Sequence, residues 1–331
     1  IFPIGMIFFF ASCKTVTMKK ADEAMQLKNY AISADMYDQL ASNTKLPKDV
    51  RQTAAYRGAE SYRYNHQPKK ALKLYVKAKK YGAKDPAVLY RVAQMYKQLN
   101  EYENAIENFK AYQKEMPSDE RVEAMIKGCE SALKWKEEKT RYTITPFKPA
   151  NDRSADDFSP VWADRKNNSI MFTSDREGGV SKNPYDRTLR SHSDVWQVKK
   201  GRSRGKSEKW SEAEIVEGLN TKYNDGTVTF NSRMSKMYFT QCNGESGKEP
   251  KCKIYEARKS GKGWQMNPEP LSFCSGTENN KWNYGHPVLA KKDKVMYFAS
   301  DRPGGYGDTA GLEKTKDIWM VTFVRRGRTW S

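Results

Sequence analysis

The feature that most constrains this chain is a sequence that repeats every 34 residues within 14–140. This segment is rich in Ala, Lys and Tyr, and its apolar residues recur at helical spacing. A shift of 34 residues aligns five small or aromatic positions, Ala59, Tyr62, Ala71, Tyr75 and Ala78, with Ala93, Tyr96, Ala105, Phe109 and Tyr112. Small residues let paired helices approach closely, and aromatic residues fill the space between pairs. The pattern predicts a stack of helix pairs.

These positions resemble those of tetratricopeptide (TPR) repeats, with Pro117 where such a repeat ends. A less regular copy runs over 30–40, and 120–139 predicts a closing helix that covers the last apolar face. A helical bundle with accidental self-similarity is the alternative. TPR arrays bind peptides or proteins along a groove and carry no chemistry. The resemblance implies a protein-binding groove, for which the candidates are Tyr56, Arg57, Tyr64 and Arg91.

A second repeat, with a period near 60 residues, occupies 157–331. Its three copies centre on residues 170–176, 237–242 and 295–302, and each predicts four short strands separated by turn residues. Four-stranded units in series are typical of β-propeller blades. Between the two repeats, residues 141–156 contain Pro146 and Pro149 and are expected to form a linker. The predicted fold is therefore a multidomain α + β chain, an α-solenoid followed by a partial propeller.

The first and third copies share a hydrophobic-Phe-x-Ser-Asp-Arg strand followed by Asp-Ile/Val-Trp, which resembles the PD40 (WD40-like) blades of TolB-type proteins. The repeated carboxylates of these motifs are Asp175, Asp194, Asp301 and Asp317. We expect them to accept backbone N–H groups and fix the hairpins. A calcium site or a catalytic acid is the alternative. Three blades do not close a ring, so the chain is expected to be part of a longer protein.

The second copy departs from the motif at its carboxylates. Cys242 replaces the first Asp, and Cys252 precedes Lys253, which stands at the position of the second. If the two strands are antiparallel neighbours, the sulfurs lie close together, and a disulfide is the resulting hypothesis. Spacing alone leaves the pairing of Cys129 and Cys274 open.

The N-terminal run ends in Phe10-Ala11-Ser12-Cys13 after apolar residues that are too few to span a bilayer. A short apolar stretch followed by small residues is typical of an export signal. A cysteine directly after Ala-Ser resembles a bacterial lipobox, which implies that 1–13 is a lipoprotein signal and that Cys13 carries the lipid. A buried N-terminal helix with an incidental thiol is the alternative. The lipobox implies anchoring in the outer membrane, mostly facing the periplasm.

The net charge and the motifs of the sequence limit which partners and which kinds of site can be expected. The net charge of +19 would favour nucleic acid in a cytoplasmic protein. The export signal argues against that partner, and anionic lipid, cell-wall carboxylates, an acidic protein or plain solvation can account for the charge. There is no CxxC, only three histidines, no GxSxG and no phosphate-binding glycine loop. We expect no metal, no cofactor and no catalytic residue.

The order lipobox, TPR repeats, PD40 blades resembles envelope lipoproteins of the OmpA-family type, some associated with type IX secretion machinery. The resemblance implies a scaffold that joins envelope and secretion-system proteins. It implies peptidoglycan binding only through a downstream OmpA-like domain that is not in this sequence. The alternative function is a carbohydrate or cell-wall polymer binding module that uses the exposed aromatics of the propeller.

Overall fold

A computed structural model of the chain describes residues 15–138, 140–201, 209–244, 250–261, 263–305, 316–327 and 329–331. The chain forms two compact units. The first ends at Tyr142 and takes in Asp186–Leu189, and the second comprises Thr143–Tyr185 and Arg190–Ser331. Cys13 and the rest of the predicted signal lie outside the described residues.

The helical unit is an array in which each helix packs on the next along the chain. Its helices are α1 (Met18–Gln26), α2 (Tyr30–Ser42), α3 (Lys48–Tyr64), α4 (Pro68–Lys80), α5 (Ala87–Gln98), α6 (Tyr102–Glu115) and α7 (Arg121–Glu137). Short connections make successive helices antiparallel neighbours, so α1/α2, α3/α4 and α5/α6 are the three helix pairs and α7 follows them. This TPR-like array confirms the helical half of the predicted fold.

The core of the helical unit is built from the repeated small and aromatic positions. Ala59, Ala71, Ala93 and Ala105 are all inaccessible to solvent, as are Tyr75 and Phe109. Close approach also explains Gly58, because a Cβ there would lie 2.8 Å from Leu74 and 2.9 Å from Tyr37. Helix α7 buries its apolar residues against α5 and α6, in the manner expected of a closing helix.

The second unit contains three four-stranded antiparallel sheets, each formed by consecutive strands. The first sheet is β1 (Asp157–Trp162), β2 (Ser169–Ser174), β3 (Asp194–Lys199) and β4 (Glu214–Ile215). The second is β5 (Asn224–Phe230), β6 (Lys236–Asn243), β7 (Lys251–Ser260) and β8 (Gly263–Pro270). The third is β9 (Tyr284–Ala290), β10 (Val295–Ser300), β11 (Asp317–Val324) and β12 (Thr329–Trp330). They match the propeller blades expected from the sequence, and the fold class is confirmed.

The three sheets stack face to face through equivalent residues. Met171 and Val195 of the first sheet pack with Phe239 of the second. In the same way, Tyr238 and Ile254 of the second sheet belong to one buried cluster with Met296 and Phe298 of the third. The alternation of side chains along each strand therefore places one apolar row on each of two faces, so that successive sheets share a core.

Each first strand of a sheet carries a bulge next to a non-glycine residue of positive φ. These residues are Ser159 (52°), Thr227 (52°) and His286 (54°). The Thr227 N–H donates to Oγ1 of Thr173 in the preceding sheet at 2.9 Å, and the His286 N–H donates to Oγ1 of Thr240 at 2.9 Å. We call these two contacts the hydroxyl clasps. They give the bulged backbone a partner in the neighbouring sheet and fix how the sheets stack.

Candidate functional site

The best candidate for a binding surface lies on alternate helices of the helical unit. Side chains on α1, α3, α5 and α7 are linked by hydrogen bonds, ring contacts or electrostatic interactions, and we call this set the odd-helix face. Its members are Asp22, Tyr56, Arg57, Glu60, Arg63, Tyr64, Tyr90, Arg91, Gln94, Lys97, Arg121 and Met125. Helix-pair repeats commonly bind partners along such a shared surface.

A three-residue cluster joins the first helix pair to the second. Arg57 Nη1 lies 2.5 Å from Asp22 Oδ1, and the Tyr37 hydroxyl donates to the same carboxylate oxygen. Burial, and after it the hydrogen bond to Asp22, raises the pKa of Tyr37. The phenol therefore stays protonated and donates to Asp22. The carboxylate is held by two donors from neighbouring helices, which fixes the position of the Arg57 side chain.

The same cluster recurs one repeat later. Glu60 is only 8% exposed, and Arg91 Nε lies 3.2 Å from its Oε1 while the Tyr75 hydroxyl donates to that oxygen. Arg63 Nη2 donates to Oε2 of the same carboxylate at 2.6 Å. Burial and the nearby Glu60 carboxylate raise the pKa of Tyr75. One buried acid thus orders two arginines on the odd-helix face.

The third repeat replaces all three members of the cluster together. Gln94 stands where the acid was, Phe109 stands where the tyrosine was, and Met125 of α7 stands where the arginine was. Lys97 Nζ lies 3.6 Å from Met125 Sδ, and it forms no ion pair with any described carboxylate. The α5/α7 end of the odd-helix face therefore carries a half-buried cation without a counter-charge.

All four predicted groove residues lie on α3 or α5. Arg57 and Arg91 belong to the acid clusters just described, and Tyr56 packs edge-on against Tyr75, with ring centroids 6.0 Å apart. Tyr64 is 38% exposed and stacks on Tyr30 at 4.9 Å. Arg63 Cζ also lies 4.1 Å from the Tyr64 ring centre, so this partly exposed ring already contacts two side chains. Arg57 and Arg91 are fixed by the carboxylates of Asp22 and Glu60. Glu60 was not among the residues predicted from the sequence, although the repeat alignment places it opposite Gln94.

In the β unit, Asp175 and Asp301 follow the second strands of the first and third sheets. Each carboxylate accepts at least one hydrogen bond from the segment that leads into the first strand of its own sheet. Asp175 Oδ1 accepts the Asp156 N–H at 2.8 Å and an Arg190 guanidinium N–H at 2.6 Å. Asp301 accepts both the backbone N–H and the side-chain N–H of Asn283, at 2.6 Å and 2.7 Å. Both carboxylates are placed to hold backbone, as hairpin-fixing groups would be.

Asp194 and Asp317 lie against glycines in the loop that follows the second strand. A Cβ at Gly179 would lie 2.3 Å from an Asp194 oxygen, and one at Gly305 would lie 1.9 Å from an Asp317 oxygen, so a side chain at either position would displace the carboxylate. Asp194 Oδ2 accepts the Val180 N–H at 3.0 Å, while its buried Oδ1 has no hydrogen-bond partner among the described residues. Burial raises the pKa of Asp194 to about 6.

The arginine and tryptophan of the repeated motif contact each other. Arg176 Cζ lies 5.4 Å from the Trp196 ring centre, and Arg302 Cζ lies 4.5 Å from that of Trp319. The sequence analysis noted both residue types without assigning them this cation–π contact. The contact occurs in the first and third sheets, where the motif is complete.

Cys242 and Cys252 occupy directly opposed positions of β6 and β7 and form a disulfide. Cys129 and Cys274 are buried free thiols. Lys253, which stands where the other sheets have Asp194 or Asp317, is 8% exposed, and its Nζ donates to the carbonyls of Asn279 and Trp282 at 2.6 Å and 2.8 Å. The second sheet thus uses a covalent bond and an ammonium group where its neighbours use carboxylates.

Within the described ranges, no group of three His, Cys, Asp or Glu side chains is placed to hold a metal ion. None of the described helices has the length and apolarity needed to cross a bilayer.

No protein-family model matches the chain, and no curated protein matches it. Several solved structures are similar to part of the chain. One is the UNC-45 chaperone, described for molecular features critical for binding and folding muscle myosin, which is 18% identical with a TM-score of 0.31. The match covers 36% of this chain and 13% of that one, so this chain spans a small part of the UNC-45 length. The Yersinia enterocolitica type III secretion chaperone SycD, solved with a peptide of the translocator YopD, is 16% identical over 36% of this chain and 91% of that one, with a TM-score of 0.30.

Proposed function

We propose that this chain is a non-enzymatic adaptor that holds an extended segment of a partner protein on the odd-helix face. The observation that carries the proposal is that one surface, shared by alternate helices, bears both pre-ordered arginines and an accessible tyrosine. Arg57 and Arg91 are each fixed by a carboxylate of the preceding helix pair, at 2.5 Å and 3.2 Å. Fixing long side chains before binding reduces the entropy lost when a partner docks.

Two features of the face suggest how a partner is gripped. Tyr64 is 38% exposed beside Tyr30 and Arg63, and tyrosine supplies a large contact area with few rotatable bonds. Lys97 supplies a cation that no described carboxylate neutralises. Together they favour a segment that carries both an apolar or aromatic side chain and an acidic one.

The cellular setting is also part of the proposal. The lipobox-like Ala11-Ser12-Cys13 supports a lipid anchor in the outer membrane, with the two units on the periplasmic side. The order of lipobox, TPR-like helices and PD40-like sheets supports a scaffold of the OmpA-family type, similar to the type IX secretion component PorE. In that setting the partners are envelope and secretion-system proteins, and contact with peptidoglycan runs through a downstream OmpA-like domain.

The test is a pull-down of the tagged full-length chain from envelopes after mild crosslinking. Wild type is compared with Lys97→Glu, which reverses the charge at this one position of the odd-helix face, and with Lys73→Glu, the same change on an exposed position of α4. We expect defined proteins in stoichiometric amounts with wild type and Lys73→Glu, and about a tenfold loss with Lys97→Glu. Equal recovery with both variants contradicts the use of this face, and recovery of glycan without protein contradicts the function.

A further inference from the structure

The β unit contains an open cleft that the adaptor function does not use. It has a volume of about 530 Å³ and lies beside the first sheet, between the segment that leads into β1 and the segment that leads into β4. Its lining includes Lys148, Asn151, Asp152, Arg153, Trp210 and Glu212. The volume is in the range of small-molecule sites in proteins.

One wall of the cleft belongs to an exposed group of aromatic rings. Trp210 packs edge-on against Phe147 at 5.2 Å and lies 6.4 Å from Trp162. Trp162 is 43% exposed and Phe147 is 36% exposed. A bridge between Lys200 and Trp210 holds the Trp210 backbone against the first sheet. The rings of Phe147, Trp162 and Trp210 thus form an ordered apolar surface beside the polar cleft.

The remaining lining offers hydrogen-bonding groups of both kinds with little net charge. Lys148 and Arg153 are exposed cations, Asp152 and Glu212 are exposed anions, and none of the four forms an ion pair with a described residue. The Asn151 Oδ1 accepts the Phe147 N–H at 2.8 Å, which orients its amide NH2 away from that bond. Arg176 also lines the cleft but is paired with Asp157 at 2.6 Å, which leaves two exposed cations and two exposed anions, and this balance does not favour a polyanion.

We propose that this cleft binds an oligosaccharide of uncharged pyranose sugars. The C–H groups on the face of a pyranose ring form an apolar surface that packs flat on an aromatic ring such as Trp210. Its hydroxyls both donate and accept hydrogen bonds, and they match carboxylates, an amide and a guanidinium around the same cleft. An apolar ligand would leave these charged groups desolvated and unpaired, which disfavours it.

The test is titration calorimetry of the full-length chain with two probes, chitohexaose and cellohexaose, and with a hexaglutamate peptide as the anionic comparison. The variants are Trp210→Ala, Trp162→Ala and Arg153→Ala. The matched control is Trp135→Ala, which removes a tryptophan that is 67% exposed on α7. Circular dichroism melting shows whether each variant is folded, and the exposed Trp162 and Arg153 keep the test decisive if Trp210→Ala unfolds.

We expect at least one hexaose to bind to wild type. Its Kd should be about tenfold higher in the folded cleft variants and unchanged in Trp135→Ala. Absence of binding by both hexaoses overturns the proposal. Binding of hexaglutamate at the cleft instead of a hexaose also overturns it. A third contrary result is equal hexaose affinity in wild type, Trp162→Ala and Arg153→Ala.

Discussion

The hydroxyl clasps lead to a sharp prediction for Thr173→Val. Thr173 is 1% exposed, and its Oγ1 accepts the N–H of Thr227, a residue held at a φ of 52° by the bulge in β5. Valine keeps the shape of the side chain but puts a methyl group where the acceptor was. The Thr227 N–H is then buried without a partner, at the interface between the first and second sheets.

The expected loss follows from the burial of this N–H. Leaving a buried donor unsatisfied costs about 1–3 kcal/mol. For a unit of this size such a loss lowers Tm by about 2–10 °C. Thr322→Val is the matched control, because the Thr322 hydroxyl donates to Ser331 O at the exposed surface. We expect that variant to stay within about 0.5 kcal/mol of wild type.

The assay is urea unfolding followed by tryptophan fluorescence. Seven of the eight tryptophans lie after residue 143, so the signal reports mainly on the β unit. The slope of free energy against urea should stay constant while the midpoint falls for Thr173→Val. An unchanged midpoint, or an equal fall in Thr322→Val, would refute the idea that the clasp fixes how the sheets stack.

Three further predictions concern buried charges and the disulfide. Burial raises the pKa values of Asp194 and Asp225 to about 6 and about 7, so the folded chain binds their protons more tightly than the unfolded chain. These groups therefore stabilise the folded β unit fully below about pH 4. That stabilisation is lost as the pH rises through 6 for Asp194 and 7 for Asp225, by on the order of 3–4 kcal/mol each. Urea midpoints of the two Asp→Asn variants should show a flatter pH dependence, and an unchanged profile would be the contrary result. Glu60→Ala leaves two arginines without their buried acid and should destabilise the helical unit by about 3 kcal/mol in calorimetric melting, whereas a loss below about 1 kcal/mol would speak against the cluster. Peptide mapping without reductant should recover a Cys242–Cys252 linked pair, and alkylation of Cys242 and Cys252 themselves would exclude it.

The architecture could be predicted from the sequence because repetition reports packing directly. A residue such as Ala59 that recurs as Ala93 marks a place where only a small side chain fits, and the structure buries both completely. In the β half, the apolar strand that recurs around Phe172, Phe239 and Phe298 predicts three equivalent sheets. Both signals are local spacings that the fold must satisfy several times over.

The acid clusters could have been found from the same alignment, but only by comparing the positions of the acid, the tyrosine and the arginine together. Asp22 and Glu60 become Gln94 in the repeat where the partner tyrosine becomes Phe109. The signal is that the carboxylate and the tyrosine that donates to it are replaced in the same repeat. The sequence analysis compared small and aromatic positions alone, and it therefore named Arg57 without the acid that holds it.

The bulges could not be predicted from local sequence. Thr227 and His286 have positive φ, which few non-glycine residues adopt, and the glycines directly before them, Gly226 and Gly285, do not specify it for the residue that follows. Their N–H partners are hydroxyls of the preceding sheet, at Thr173 and Thr240. Because the stabilising contact comes from a residue more than 40 positions away, only the assembled stack of sheets shows why the backbone takes this form.

The most direct test of the adaptor function is photocrosslinking in cells with p-benzoylphenylalanine in place of Tyr64 on the odd-helix face. The matched control places it at Val76, which is 47% exposed on α4. The account predicts discrete protein adducts from position 64 and none from position 76. Adducts of equal yield at both positions, or none at position 64, would contradict it.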